Sequence, residues 1–286
     1  MRSSSHDGSE PGDPAGAQDQ VRQRDRGRGI LYIVGIGPGH VLHMTPAAQQ
    51  ALHEAQAVFG YTTYIDLVRP LIKDKKIVST GMRQEVDRVR RALQAARQGS
   101  ACALVCSGDP GIYALAGLVF EICRENSIPI GDNQNSLKIE VIPGVPALGA
   151  GSSLLGAPLM TDFACISLSD LLTPWEAIEK RIQASAWADL VIVLYNPRSK
   201  KRNWQLEAAR KIILEHRSPD TPVGLVTSAT RQEASVNLCT LNSLDCSHAG
   251  MQTTVFIGNS RTFVYDSRMI TPRGYHEKYQ LEMKEL

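Results

Sequence analysis

The feature that most constrains this chain is a repeated handover. Short apolar runs end in glycine and proline, and stretches with helical character follow them. ILYIVGIG starts at Ile30 and runs into GIGPG; ACALVC starts at Ala101 and runs into SGDPGIY; IEVIPGV starts at Ile139. Apolar runs of this length, bounded by turn signals, predict buried parallel strands. Thr45-Pro46 supplies an N-cap and a first-turn proline for a helix through PAAQQALHEAQ, and AVFGY reads as the next strand. Residues 82–98 place Met82, Val86, Val89, Leu93 and Ala96 on one helical stripe, with Gly99 as a stop. ACALVC is then the third strand, GIYALAGLVFEICREN the third helix and IEVIPGV the fourth strand. The alternation predicts an α/β domain over residues 30–146 with a mainly parallel sheet.

The Gly/Ala/Pro-rich stretch 143–158 breaks the rhythm and is the expected hinge. Beyond it, Thr173-Pro174-Trp175-Glu176 has the pattern of a capping box with proline at the first helical position. A helix to Ala188, the strand DLVIVLY, a helix over NWQLEAARKIILEHR and the strands VGLVTSA and TTVFIGNS complete a second α/β domain over 147–286, with short strands that admit mixed pairing. Two modest domains suit a chain of 286 residues. Residues 1–29 are rich in Gly, Ser, Pro, Asp and Arg and nearly lack large apolar residues. They cannot offset their ordering entropy and are expected to be a disordered tail.

Composition excludes little but points in one direction. A formal net charge of +2 gives no argument for a nucleic-acid or membrane partner. Apolar runs such as LVIVLY are too short to span a bilayer, and no apolar core of a secretory signal is present, so a soluble, cytoplasmic protein is expected. Six cysteines, at Cys102, Cys106, Cys123, Cys165, Cys239 and Cys246, lack CxxC spacing. They read as small core residues of a reducing compartment, with no metal site or disulfide framework implied.

Three loops carry the chemistry of the first half. GIGPG invites a dinucleotide reading, but that fingerprint needs glycine where His40 stands, and the helix start is delayed to Pro46. An NAD-dependent oxidoreductase would also need an acid closing the second strand, and Asp66 lies past it. No Gly-Lys-Ser/Thr follows a glycine-rich turn, which removes a Walker A loop, and no Gly-x-Ser-x-Gly elbow supports a hydrolase. In SGDPGIY, Gly108 and Gly111 permit close backbone approach, Pro110 stiffens the path, and Asp109 either meets a ligand or caps the next helix. GIGPG, SGDPG and IPGV all lie at strand ends, where parallel sheets bind ligands, and none carries a lysine. A ligand without phosphates fits them. His40 and His43 border the first loop and read as solvated. In the second half, LYNPRSKKR ends a strand with Tyr195-Asn196-Pro197 and sets Arg198, Lys200, Lys201 and Arg202 before a helix, where they read either as a solvated face or as an anion site. Arg273 in MITPRGY is of the same kind.

GIGPG, SGDPGIY, IPGV-PA, LYNP and TTVFIGNS, in that order over residues 30–275, resemble the tetrapyrrole (corrin/porphyrin) methyltransferase family. GYTTYIDL, ISLSDLLTPWEAIEKR, LYNPRSKKR and MITPRGY are similar to its precorrin-3B C17-methyltransferase branch, in cobalamin biosynthesis. The resemblance implies two α/β domains with S-adenosylmethionine in the cleft between them, a tetrapyrrole substrate and a homodimer. It places cofactor contacts at Pro38, Ser107, Gly108, Asp109, Ile112, Pro146, Ala147, Asn196, Ala229 and Thr253. The implied reaction is methylation of precorrin-3B at C17 with ring contraction to precorrin-4. Tyr61, Tyr64, Ser169 and Asp170 are candidates to assist the proton movement of contraction, and Arg198, Lys200, Lys201, Arg202 and Arg273 to meet substrate carboxylates.

Two positions depart from the family pattern. Pro146 stands where threonine is usual, and Met160-Thr161-Asp162-Phe163 stands where the branch has Gly-His-Asp-Phe. Ala114 replaces a frequent glycine. The nearest rival is the cobalt-factor III enzyme of the anaerobic pathway; a catalytically silent tetrapyrrole carrier is another.

Overall fold

The computed structural model describes residues 29–282. The expected tail therefore lies, except for Gly29, outside the described residues.

The first half builds a five-stranded sheet from β1 (Ile30–Gly35), β2 (Ala57–Tyr61), β3 (Lys76–Thr80), β4 (Ala101–Cys106) and β5 (Lys138–Ile142), ordered β3-β2-β4-β1-β5. Every pairing is parallel. Helices α1 (Pro46–Glu54), α2 (Thr62–Val68), α3 (Glu85–Arg97) and α4 (Ala116–Glu125) connect the strands. The pleat alternates the two cores: Leu31 and Ile33 meet Val89, Leu93 and Val119 on one face, while Tyr32 and Val34 meet Ala51, Leu52 and Ile65 on the other. Burial of each large aliphatic here contributes about 1.5–3 kcal/mol before its ordering entropy is subtracted. Thr45 caps α1, its Oγ1 accepting from the Ala48 amide at 3.1 Å, as expected.

Other expectations shift. KIVST forms an extra strand, β3, which occupies the sheet edge with Lys76 and Ser79 exposed and only Thr80 buried, so its sequence lacks a strong apolar signal. Helix α3 leaves Met82 outside it and Val86 exposed, and buries Arg88 in their stead. The Arg88 guanidinium donates to Thr80 Oγ1 at 2.6 Å and to the Gly81 carbonyl at 2.9 Å, so its hydrogen bonds offset its desolvation. Helix α4 starts at Ala116, well past Gly111.

The second half opens with α5 (Ala147–Leu155) and the short β6 (Gly156–Ala157), so most of the expected hinge is a helix. Its small residues have a packing reason: a Cβ at Gly151 would stand 2.7 Å from the Phe256 ring. Then follow β7 (Phe163–Ser167), α6 (Trp175–Trp187), β8 (Val191–Tyr195), α7 (Gln205–Leu214), β9 (Pro222–Thr227), β10 (Ser235–Thr240) and β11 (Thr253–Ile257). Their sheet is ordered β10-β9-β11-β8-β7, and only β7 and β8 pair in parallel. Helices α6 and α7 cover one face with Ile178, Ile182, Leu206 and Ile213, and α5 covers the other with Leu155 against Val226 and Phe256. The capping box does not form. Pro174 is the N-cap of α6 without a side-chain bond, and Trp175 instead packs edge-on against Trp204, centroids 4.8 Å apart. A hairpin of β12 (Phe263–Tyr265) and β13 (Arg268–Ile270) pairs with β6, and α8 (Tyr275–Lys278) follows. Among the described residues, no helix is long and apolar enough to cross a membrane.

Candidate ligand cleft

The three Gly-Pro loops of the first half meet one another before they meet anything else. Gly37 and Gly108 exchange backbone hydrogen bonds of 3.2 and 2.7 Å, joining the loops after β1 and β4. Gly144, in the loop after β5, lies against both: a Cβ there would fall 2.1 Å from the Gly108 oxygen and 2.7 Å from the Gly35 oxygen. Asp109 completes the knot, its carboxylate accepting from the Gly111 amide at 2.8 Å and the Gly144 amide at 3.1 Å. It caps no helix, because α4 begins only at Ala116.

The facing loops of the second half are held differently. Asn196 follows β8 with φ of 51°, in the left-handed region, and donates its side-chain amide to Ser167 Oγ at 3.0 Å. The buried guanidinium of Arg202 donates to the Asn196 carbonyl at 3.1 Å and to the Leu168 carbonyl at 3.3 Å. After β9, Ser228, with φ of 51°, donates to Gln252 Oε1 at 2.5 Å. Thr253 pairs its hydroxyl with that of Thr227 at 2.8 Å and accepts from the Gly250 amide at 3.0 Å. Strained non-glycine residues that persist because their surroundings over-determine them cluster where proteins bind ligands.

A cavity of about 260 Å³ lies between the two loop sets. From the first half it is lined by Pro38, Ser107, Gly108, Asp109 and Ile112, with Tyr61 and Tyr64 beside them. Pro146 and Ala147, which lie against Gly108, also line it, and Asn196, Ala229 and Thr253 do so from the second half. All ten residues assigned to cofactor contact therefore border one space. Ser169 and Asp170 do not border it: Asp170 accepts from Gln205 at 3.0 Å, and the Ser169 amide donates to Ser167 Oγ at 3.2 Å. Of the basic run, Arg198 donates to the Cys246 carbonyl, Lys200 and Lys201 are exposed, and Arg202 is spent on the Asn196 loop. Arg273 lines a separate hollow with Arg261, Phe263 and Tyr275 near the end of the described chain.

Sequence reasoning passed over several residues of the cleft. Arg231 crosses the seam, donating from Nε to the Pro38 carbonyl at 3.0 Å and from Nη2 to Ser107 Oγ at 3.4 Å. Tyr113, at φ of 52°, donates to the Cys165 carbonyl at 2.8 Å, and its ring lies 5.4 Å from that of Tyr195. Ser228 and Gln252 also line the space. The available signal was position: Arg231 lies in the loop following β9, as Asn196 lies in the one following β8.

Electrostatically, the cleft favours the neutral form of three of its phenols. Burial pushes Tyr113 up to about 12 and raises Tyr195 further, and burial also raises Tyr64 against the opposing pull of the Arg231 charge. Among the lining residues, Asp109 is the single carboxylate and Arg231 the single guanidinium, and no lysine is present. Among the described residues, no group of three His, Cys, Asp or Glu side chains is placed to hold a metal ion, and all six cysteines are unpaired.

These features define an α/β protein with a cleft bordered by the loops after β1 and β4 of the first sheet and by those around the ends of β8 and β9 and the start of β11 in the second. The chain belongs to the tetrapyrrole (corrin/porphyrin) methylases, whose family model matches residues 30–245. It is 47% identical over 258 residues to the cobalt-factor III methyltransferase of Priestia megaterium, covering 90% of this chain and 47% of that one. The chain thus spans about half the length of that relative. It is 38% identical over 252 residues to the precorrin-3B C(17)-methyltransferase of a Sinorhizobium species, covering 86% of this chain and 97% of the relative. The crystal structure of the methyltransferase CobJ matches with a TM-score of 0.80 at 33% identity, over 85% of this chain and all of that one.

Proposed function

We propose that this protein is an S-adenosylmethionine-dependent C-methyltransferase of corrin-ring biosynthesis, methylating precorrin-3B at C17 with ring contraction to precorrin-4. One observation carries the reading: ten motif residues scattered from Pro38 to Thr253 border a single cleft. The donor set fits the cofactor. Backbone amides, hydroxyls and one acid suit a sulfonium with an amino-acid group and no phosphate, and the absence of a lysine in the lining agrees with that.

When bound, the cofactor supplies an electrophilic methyl group. The chain's own contribution is then positioning, which holds reacting groups in line and can supply several kcal/mol of the barrier reduction. Asp109 and the Gly35–Gly108–Gly144 contacts fix one wall; Arg202 fixes the other through the Asn196 carbonyl. Burial raises the Tyr64 phenol and makes it a weaker acid, so in contraction this residue acts by a hydrogen bond to the reacting oxygen and keeps its own proton. Tyr61, ring-to-ring with Tyr64 at 5.2 Å, orients it. Ser169 acts only through Ser167 Oγ, which it shares with Asn196, Asp170 only holds Gln205 at the start of α7, and Lys200 and Lys201 meet substrate carboxylates from outside the cleft.

A second reading, cobalt-factor III as substrate, is favoured by the higher identity to the Priestia relative, 47% against 38%. Incubation with methyl-labelled S-adenosylmethionine and either precorrin-3B or cobalt-factor III decides: label in one product chooses the substrate, and label in neither sinks the methyltransferase reading. We also place the functional halves at 30–146 and 147–286 and the protein in the cytoplasm. We read it as a homodimer, to which the exposed Phe263, Val264 and Tyr265 of the edge strand β12 lend support. Light scattering tests that association.

A further inference from the structure

We infer that Arg231 is the carboxylate anchor of the cleft, the residue that fixes an acetate or propionate arm of the ring against the methyl donor. This rests on the reading above and goes further, because it assigns ring orientation to a residue outside the recognised motifs. The first observation is charge. Among the described residues, Arg231 is the single cation lining the cavity, and the single acid there, Asp109, has its carboxylate engaged by the Gly111 and Gly144 amides. Among the described residues, no carboxylate pairs with Arg231.

The second observation is unused hydrogen-bonding capacity. A guanidinium has five N–H donors. Arg231 commits one to the Pro38 carbonyl at 3.0 Å and one, at 3.4 Å, to Ser107 Oγ, and both acceptors are neutral. A half-buried guanidinium with spare donors and no counter-charge is arranged for an anion, and a carboxylate matches its planar fork in two bonds. The third observation is the space kept for it. A Cβ at Gly39 would lie 2.6 Å from Arg231 Cγ and 2.8 Å from Nε, so the first loop is bare where the side chain crosses.

The basic run that the sequence offered for this task does not compete. Arg202 is buried behind Asn196, and Arg198, Lys200 and Lys201 stand outside the cavity lining. Two carboxylates could take the anchor: a ring arm, or the amino-acid end of the cofactor. Their chemistry is the same, and the test separates them.

The test measures two affinities on the full chain and on Arg231→Gln and Arg231→Lys variants: S-adenosylhomocysteine by calorimetry, and uroporphyrin III, an octacarboxylic ring, by fluorescence quenching. The expected result for Arg231→Gln is a loss of about tenfold or more for the porphyrin, partial recovery in Arg231→Lys and unchanged S-adenosylhomocysteine affinity, the size expected for losing a charge-assisted bond. Weakening confined to S-adenosylhomocysteine would overturn the ring-arm assignment and give Arg231 to the cofactor's carboxylate instead. Both affinities unchanged would overturn the inference alone. So would equal weakening of both with a lowered melting temperature that lysine fails to restore, since Arg231 would then be only a clasp across the seam. Wild-type protein that binds neither probe would overturn the functional reading and the anchor with it.

Discussion

The two walls of the cleft solve one problem by opposite means. Each must hold irregular backbone at strand ends in a fixed shape. The first half does so with missing side chains: Gly35, Gly37, Gly108 and Gly144 let three loops touch backbone to backbone, and one carboxylate collects the leftover amides of Gly111 and Gly144. The second half does so with added side chains: Asn196 and Ser228 take left-handed backbone without being glycine, and Ser167, Gln252 and Arg202 hold them there. An acid gathers amides on one wall, and a guanidinium gathers carbonyls on the other. The glycine wall should therefore fail when atoms are added, and the side-chain wall when atoms are removed.

The largest expected effect breaks the first wall. Gly144→Ala forces a methyl group to within 2.1 Å of the Gly108 oxygen, where the backbones of two loops would have to part. We expect a loss of about 3 kcal/mol, the upper end of ordinary overpacking, and a melting temperature lower by roughly 6–12 °C. A melt within about 2 °C of wild type would show the loops to be loosely joined. On the second wall, Arg202→Leu keeps bulk but leaves the Leu168 and Asn196 carbonyls without their donor. That should cost about 2 kcal/mol, as loss of charged hydrogen bonds does, and weaken S-adenosylhomocysteine binding in calorimetry. Arg202→Lys, which keeps charge without the fork, should fall between.

This contrast also explains what could be read from the chain beforehand. The first wall was legible because its device is compositional: GIGPG, SGDPG and IPGV announce themselves by glycine and proline at strand ends. The sequence allows Asp109 to be a helix cap or a ligand contact; it caps no helix, and from the cleft lining it holds the Gly111 and Gly144 amides. The second wall was legible only through the resemblance. Left-handed Asn196 and Ser228 carry no sequence mark, because their conformation is imposed by partners 24 or more residues away, Ser167 and Gln252. Arg202 reads from the sequence as part of a basic run, either a solvated face or an anion site, although tertiary contacts draw it inside while its neighbours Lys200 and Lys201 stay exposed. Strand β3 escaped for a related reason: an edge strand with an exposed side has weak apolar periodicity.

Asp109 permits a finer comparison across the walls. Asp109→Ala leaves two amides seeking acceptors, but Gly111 is exposed and its amide can turn to water. The expected loss is about 1–2 kcal/mol, below that of Arg202→Leu, whose site is buried. Asp109→Asn, which retains one acceptor oxygen, should recover part of it. Chemical denaturation of the three proteins ranks them; Asp109→Ala more damaging than Arg202→Leu would reverse the assignment of the stiffer wall.

The smallest effect tests a place where the walls meet. Helix α5 begins with Pro146 as N-cap, which has no side-chain oxygen to offer the first amides. Tyr195, at the end of β8, takes over: its hydroxyl accepts from the Leu148 amide at 2.7 Å. Tyr195→Phe should therefore cost about 1 kcal/mol, as loss of an N-cap does. If the hydroxyl serves only as a cap, Pro146→Thr in the Tyr195→Phe background should restore most of that loss, because a threonine N-cap can reach the same helix turn. Should the double variant recover its melting temperature but not its S-adenosylhomocysteine affinity, the phenol has a second duty in the cleft. Were Pro146→Thr to give no recovery, proline at this position would be required by the loop path itself, and its departure from the family pattern would be structural in origin.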